Sequence, residues 1–171
     1  MPIVIKAPLS DKDINKLKAG DQVLISGTIY TARDAAHKRF GDKLPFNAKG
    51  QILYYASPTP TPPGKVIGSI GPTTASRMDA FTPALLKMGL KAIIGKGRRS
   101  KEVIDAIRKH KAVYFVVPGG VAALLSRHVK KSKVLAYPDL GAEAVLELEV
   151  SDFPAIVAVD SKGNNLFEHA N

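Results

Sequence analysis

Apolar residues in this chain come in short blocks broken by polar, glycine-rich or proline-rich stretches, and the spacing inside each block sets the element it predicts. Ser10-Asp11-Lys12-Asp13-Ile14-Asn15-Lys16-Leu17 starts with an N-cap residue and predicts a short helix closed by Gly20. Residues 22–30, rich in Val, Ile and Leu, predict a strand. Thr31-Ala32-Arg33-Asp34 then has the Thr-x-x-Asp spacing of a capping box and opens a predicted helix toward Phe40. Residues 52–56 predict another strand. After it, Ser57-Pro58-Thr59-Pro60-Thr61-Pro62-Pro63-Gly64 holds four prolines in eight residues and predicts a loop, because proline lacks the backbone donor.

The next stretch repeats in architecture though not in sequence. Predicted strands at 66–70, 92–94 and 113–117 end in Gly71-Pro72-Thr73-Thr74, Gly95-Lys96-Gly97 and Pro118-Gly119-Gly120. A predicted helix follows each turn: one carrying Met78, Leu85 and Leu86, one from Ser100 through Ile107, and one through Leu125. Successive strand, turn and helix units predict an α/β domain with a mostly parallel sheet, whose crevices lie at the carboxyl ends of the strands. Residues 134–136, 144–150 and 155–160 predict further strands, the last two forming a hairpin across Ser151-Asp152-Phe153-Pro154. No solenoid-length repeat interrupts this pattern, and one domain over residues 1–171 is expected.

Composition narrows the chemistry. The chain has no cysteine, so disulfide frameworks, zinc ribbons, thiol catalysis and iron–sulfur ligation by its own residues are excluded. His37, His110, His128 and His169 show no HxxxH or HExxH spacing, so no metal site of its own is expected. A net charge of +10 implies an anionic partner: nucleic acid, an acidic protein surface or a small anion. No apolar run approaches the ~20 residues of a membrane span. The start, Met1-Pro2-Ile3-Val4-Ile5-Lys6, is unlike a secretion signal, and a cytoplasmic protein is expected.

Polar and cationic residues gather where strands end and helices begin: Arg33, Asp34 and His37 at one turn, Thr73, Thr74, Ser76 and Arg77 at the next, Lys96, Arg98 and Arg99 at the third. Helix N-termini already carry positive potential, so added cations there suit a bound anion. Two arginines from different turns can each grip a planar carboxylate, with lysine as a point charge, a set suited to a dicarboxylate. Each residue also has a plainer reading. Asp34 fits a capping acid, Thr73 or Thr74 an N-cap, His37 a helix residue one turn after Arg33, and Lys96 a turn residue, since GxxxxGK[ST] is absent. Arg98, Arg99 and Lys101, and separately Lys130, Lys131 and Lys133, read as solvated charge.

Gly27-Thr28-Ile29-Tyr30-Thr31-Ala32-Arg33-Asp34-Ala35-Ala36-His37, Gly71-Pro72-Thr73-Thr74-Ala75-Ser76-Arg77-Met78-Asp79 and Gly95-Lys96-Gly97 closely resemble motifs of the β subunit of class I fumarate hydratases and L-tartrate dehydratases, in order and spacing. Residues 118–124, 139–143 and 152–155 resemble its later segments, so the likeness covers nearly everything after the first helix. The resemblance implies a swivelling β/β/α domain and a hydro-lyase that reversibly hydrates fumarate to malate, a reaction of the tricarboxylic acid cycle. It also implies a [4Fe-4S] cluster held by a separate, cysteine-bearing α subunit in a hetero-oligomer.

By the same resemblance Arg33, Arg77 and Lys96 match carboxylate-binding positions, with Thr74 beside them as a further substrate-binding candidate. Thr73 matches a threonine proposed as the base, His37 matches an active-site histidine, and Asp34 is a catalytic candidate that orients His37 or Arg33, or only caps. L-tartrate dehydration is the nearest alternative. A basic nucleic-acid-binding module is a reading of another class, disfavoured by 6% aromatic content and the absence of Trp. A stand-alone sugar- or phosphate-binding α/β protein is a third.

Overall fold

Continuous apolar runs form the parallel strands because both of their faces are covered. Ile52, Leu53 and Tyr54, and likewise Ala92, Ile93 and Ile94, are fully buried. The computed structural model describes residues 1–117 and 122–169, so the predicted turn at Pro118-Gly119-Gly120 and Val121 beside it lie outside the described residues. The strands are β1 (Ile3–Lys6), β2 (Gln22–Thr31), β3 (Ile52–Tyr54), β4 (Ala92–Gly95), β5 (Val113–Val116), β6 (Val129–Ala136) and β7 (Val145–Val159). The helices are α1 (Asp11–Asn15), α2 (Asp34–Phe40), α3 (Thr82–Lys87), α4 (Lys101–His110) and α5 (Ala122–Ser126).

Strands β1 to β5 pair in parallel in chain order, in keeping with the expected mostly parallel sheet, though β1 is not among the predicted strands. β7 runs antiparallel to β5 and also to β2, so the bonded neighbours β2, β3, β4, β5 and β7 close a ring. β6 is added along the first half of β7. Strand alternation then makes two cores. Ile52, Tyr54, Ile94, Phe115 and Phe153 pack between the strands, joined by Ile14 of α1 and Leu125 of α5. Leu53, Ile93 and Tyr114 face the other way and pack against Phe40, Leu85, Leu86, Val103 and Ile107 of α2, α3 and α4. This α/β arrangement puts the β2–α2 and β4–α4 turns on the same rim.

Four local expectations are corrected. The predicted hairpin at 151–154 is part of one strand: Phe153 is fully buried and pairs with Ile25, while the turn-like residues are absorbed by a bulge with Asp152 at φ 52°. Residues 66–70 form no strand. Ser69 and Thr59 bond each other, Ile70 N donates to the Ala122 carbonyl, and only Ile67 and Ile70 sink into the core. The helix expected after Thr74 breaks into a 3₁₀ turn at Ala75–Met78 and then α3. Thr31 does not cap α2, whose N-cap residue Arg33 makes no side-chain cap bond; the buried Thr31 hydroxyl accepts from Leu146 N of β7 instead. Ser10 does cap α1 as predicted, in a capping box with Asp13.

Closure of the ring requires β2 to bend, and Gly27 sits at that bulge with φ 108°, where an added Cβ would lie 2.7 Å from the Ala7 carbonyl oxygen. Gly20 has a similar φ of 96° but open space around it. Gly27→Ala should therefore lose about 2–4 kcal/mol of stability in urea unfolding and Gly20→Ala only about 1–2 kcal/mol. Equal losses would show that close approach to Ala7 is not what makes glycine necessary.

Candidate functional site

The site starts from backbone pairing at the carboxyl ends of β2, β3 and β4. Ala32 N donates to the Tyr54 carbonyl at 3.1 Å and Tyr55 N to that of Ile94 at 2.8 Å, so the three strand ends stay in step. Residues 72–75 then lie between the extended ends of β3 and β4. Thr73 N donates to the Tyr55 carbonyl at 2.8 Å, and Ala75 N to the Lys96 carbonyl at 2.8 Å. Bridges Ala56–Pro72 and Thr74–Lys96 complete the insertion. Gly95 permits it, because a Cβ there would stand 2.9 Å from that of Ala75.

Arg33, Asp34, Thr73, Thr74, Arg77 and Lys96 are thereby brought to one rim. Arg77 Nη2 pairs with Asp34 Oδ2 at 2.8 Å, and Arg33 Nε lies 3.9 Å from Asp34 Oδ1, close enough for charge attraction but too long for a hydrogen bond. Arg33 Nη1 donates to Ser57 Oγ at 3.3 Å. Arg33 Nε and Asp34 Oδ1 are both buried without a hydrogen-bond partner among the described residues, unspent polar capacity at the rim. Among the described residues Lys96 is exposed and forms no ion pair, while Asp34 is shared by two arginines and Glu143 Oε1 accepts from Ala35 N at 3.4 Å, so the rim holds three cations against two carboxylates. That surplus, rather than helix dipoles, supplies the positive potential, since α2 has seven residues and the turn after Thr74 four. Thr74 stands at the N-cap position of that turn but its side chain makes no cap bond, so its hydroxyl is not spent as the capping reading expects.

His37 lies beneath this rim, only 2% exposed, against Phe40, Tyr55 and Phe81 at ring separations of 5.2, 5.1 and 5.8 Å. Its Nδ1 bonds the Arg33 carbonyl at 2.8 Å. A carbonyl only accepts, so Nδ1 carries the proton and Nε2 holds a lone pair, which has no partner. Burial pushes the imidazole pKa down to about 4, against the pull of the Arg33 carbonyl and the Asp34 charge, so the ring is neutral near pH 7.

Arg99 overturns its solvated reading. Its side chain is fully buried, paired with Asp79 at 2.7 Å and lying over the Tyr114 and Tyr55 rings at 4.7 and 5.3 Å. A run of charges in sequence carries no burial signal, and neither Asp79 nor Ser57 stood out by spacing. Of the other run, Lys131 and Lys133 are exposed and face Glu149 and Glu147 at 3.7 and 2.8 Å. Neither basic run is therefore a continuous uncompensated surface. Among the described residues no helix is long and apolar enough to cross a membrane.

Comparison with known proteins identifies the family. The family model described as Fumarase C-terminus matches residues 1–170. A Methanocaldococcus jannaschii protein provisionally named L(+)-tartrate dehydratase subunit beta is 43% identical over 175 residues, 95% of this chain and 90% of that protein. Fumarate hydratase 2 of Leishmania major is 40% identical over 95% of this chain and 30% of its own length. The aerobic class I fumarate hydratase of Salmonella typhimurium is 38% identical over 96% of this chain and again 30% of its own. This chain thus spans about a third of such fumarate hydratases and nearly all of the β-subunit relative. Residues 1–170 match one family model, and the chain belongs to the Fumarase C-terminus family.

Proposed function

We propose that this chain is the β subunit of a cytoplasmic two-chain hydro-lyase that reversibly hydrates fumarate to malate. The observation that carries the reading is the rim itself: Arg33 and Arg77 held on either side of Asp34, with Lys96, in no ion pair among the described residues, beside them. Arg33, Arg77 and Lys96 grip the substrate carboxylates, and the Thr74 hydroxyl donates a further hydrogen bond. In the dehydration direction a proton leaves the carbon next to one carboxylate while the hydroxyl on the neighbouring carbon departs as water. Cations on that carboxylate stabilise the negative charge that builds there as the C–H bond breaks.

Two groups are candidates to hold that proton. Thr73 sits on the rim, but a threonine hydroxyl is a weak base unless neighbouring cations favour its ionised form, a part Lys96 fills across the Thr74–Lys96 bridge. His37 offers an Nε2 lone pair from below, its ring oriented by the Nδ1 bond to the Arg33 carbonyl. A [4Fe-4S] cluster belongs to the family likeness, and this chain does not fit it as host. It has no thiolate, and among the described residues no group of three His, Asp or Glu side chains comes together. In this proposal a cysteine-bearing α subunit holds the cluster, and no step is derived through it. L(+)-tartrate is the second substrate reading, favoured by the relative that this chain covers at 90% of its length.

Anaerobic co-expression with a cysteine-bearing α chain should yield fumarate hydration, and comparison with tartrate dehydration in the same preparation chooses the substrate. Arg33→Met and Arg77→Met should each cost about 2–5 kcal/mol in kcat/KM, and Thr73→Ala should abolish turnover, all with unchanged unfolding. Wild-type rates in all three would reject the site.

The His37 proton makes a separate prediction. Its pKa is about 4 folded against 6.5 unfolded, so the unfolded chain takes up the proton first as pH falls. Stability should be complete above pH 6.5 and drop by roughly 3 kcal/mol toward pH 4. His37→Gln should flatten that slope in urea titrations across the window. A slope identical to wild type would show that His37 is not buried neutral.

A further inference from the structure

The two loops that carry the proposed substrate side chains meet at a single buried guanidinium. Asp79 lies two residues after Arg77, and Arg99 three residues after Lys96. Arg99 Nε donates to Asp79 Oδ1 at 2.7 Å, while Asp79 Oδ2 accepts from Ser100 N at 2.9 Å, so both carboxylate oxygens are spent on the second loop. Arg99 Nη2 donates to Thr82 Oγ1 at 2.9 Å. That hydroxyl gives its own proton to the Met78 carbonyl at 2.9 Å and must therefore accept from Tyr55 as well as from Arg99. Tyr114, whose ring lies against Arg99, donates its hydroxyl proton to the Gly97 carbonyl at 2.8 Å. The first loop is thus tied at Met78, Asp79 and Thr82, the second at Gly97, Arg99 and Ser100, and Tyr55 links both to the end of β3 that also pairs with Thr73.

Stability alone does not account for this arrangement. Burying a guanidinium and a carboxylate costs desolvation that well-packed apolar side chains avoid, and Arg99 Nη1 is left buried without a partner. What apolar residues cannot supply is the directional fixing of two loops at once. We propose that the Arg99–Asp79 pair is a positioning element that sets Thr73, Thr74 and Arg77 in register with Lys96. This rests on the reading of those four side chains as substrate-contacting. Arg99 touches no reacting atom. It acts through the loops it ties.

Three variants test this: Arg99→Lys, Arg99→Met, and the double variant Arg99→Met with Asp79→Leu, which removes both buried charges and keeps the fold when a single truncation does not. Amide hydrogen exchange on the free full-length chain reads the loops directly. In the double variant, exchange over 73–80 and 96–100 should rise at least tenfold while β2 and β7 keep wild-type protection. In the reconstituted complex the same variant should raise KM for the diacid at least tenfold and lower kcat, and Arg99→Lys, which keeps the charge but not the planar fork, should restore only part of either. Wild-type loop exchange in the double variant overturns the proposal whatever the turnover, and so does wild-type kcat and KM in an active complex. A wild-type complex that turns over neither fumarate nor tartrate removes the functional reading instead, and leaves exchange to judge the positioning role.

Discussion

The insertion of residues 72–75 between the ends of β3 and β4 is the constraint on which the site depends. Two backbone hydrogen bonds, Thr73 N to the Tyr55 carbonyl and Ala75 N to the Lys96 carbonyl, turn an irregular segment into an added strand-like piece. They place a threonine pair and an arginine beside a lysine from another loop and an arginine from a third. The insertion needs a bare backbone opposite it, which Gly95 provides, and fixed strand ends, which the ring closed by β7 provides. A wall of charge assembled from three separate loops keeps its spacing only because those loops share one backbone framework.

The electrostatics of the rim have one sign at the surface and a different logic beneath. Above, Asp34 keeps Arg33 and Arg77 from repelling one another and leaves their remaining donors open. Below, His37 is kept neutral by its apolar surroundings, and Arg99 is held by Asp79 between two tyrosine rings. Among the described residues, unpartnered buried atoms on Arg33, Asp34 and His37 lie at or beneath this rim, and that on Arg99 lies in the tie between its loops. The matched family model spans the chain from β1 past β7.

Much of this was legible from residue pattern, for reasons that can be named. Strands β3, β4 and β5 are continuous apolar runs because parallel strands are covered on both faces, and the Gly-Lys-Gly turn after β4 marks the rim. Residues 66–70 misled because two buried isoleucines look like half a strand, although their backbone bonds to Thr59 and Ala122 instead of a ladder. The stretch 151–154 misled because Asp and Pro signal a turn in any local window, and only the long partner β2 reveals that the strand runs on. At the site, Arg33, Thr73, Arg77 and Lys96 were identifiable as positions. That Asp34 sits between two of the cations, and that Arg99 is buried rather than solvated, are products of packing between segments far apart in the chain.

The central claim is that this chain supplies the cationic wall holding a four-carbon diacid. The most direct measurement is a crystal structure of the anaerobically reconstituted two-chain complex with the diacid bound. The account predicts carboxylate oxygens within hydrogen-bond distance of Arg33, Arg77 and Lys96. A diacid held wholly by the companion chain, with those three side chains turned to solvent, would contradict it.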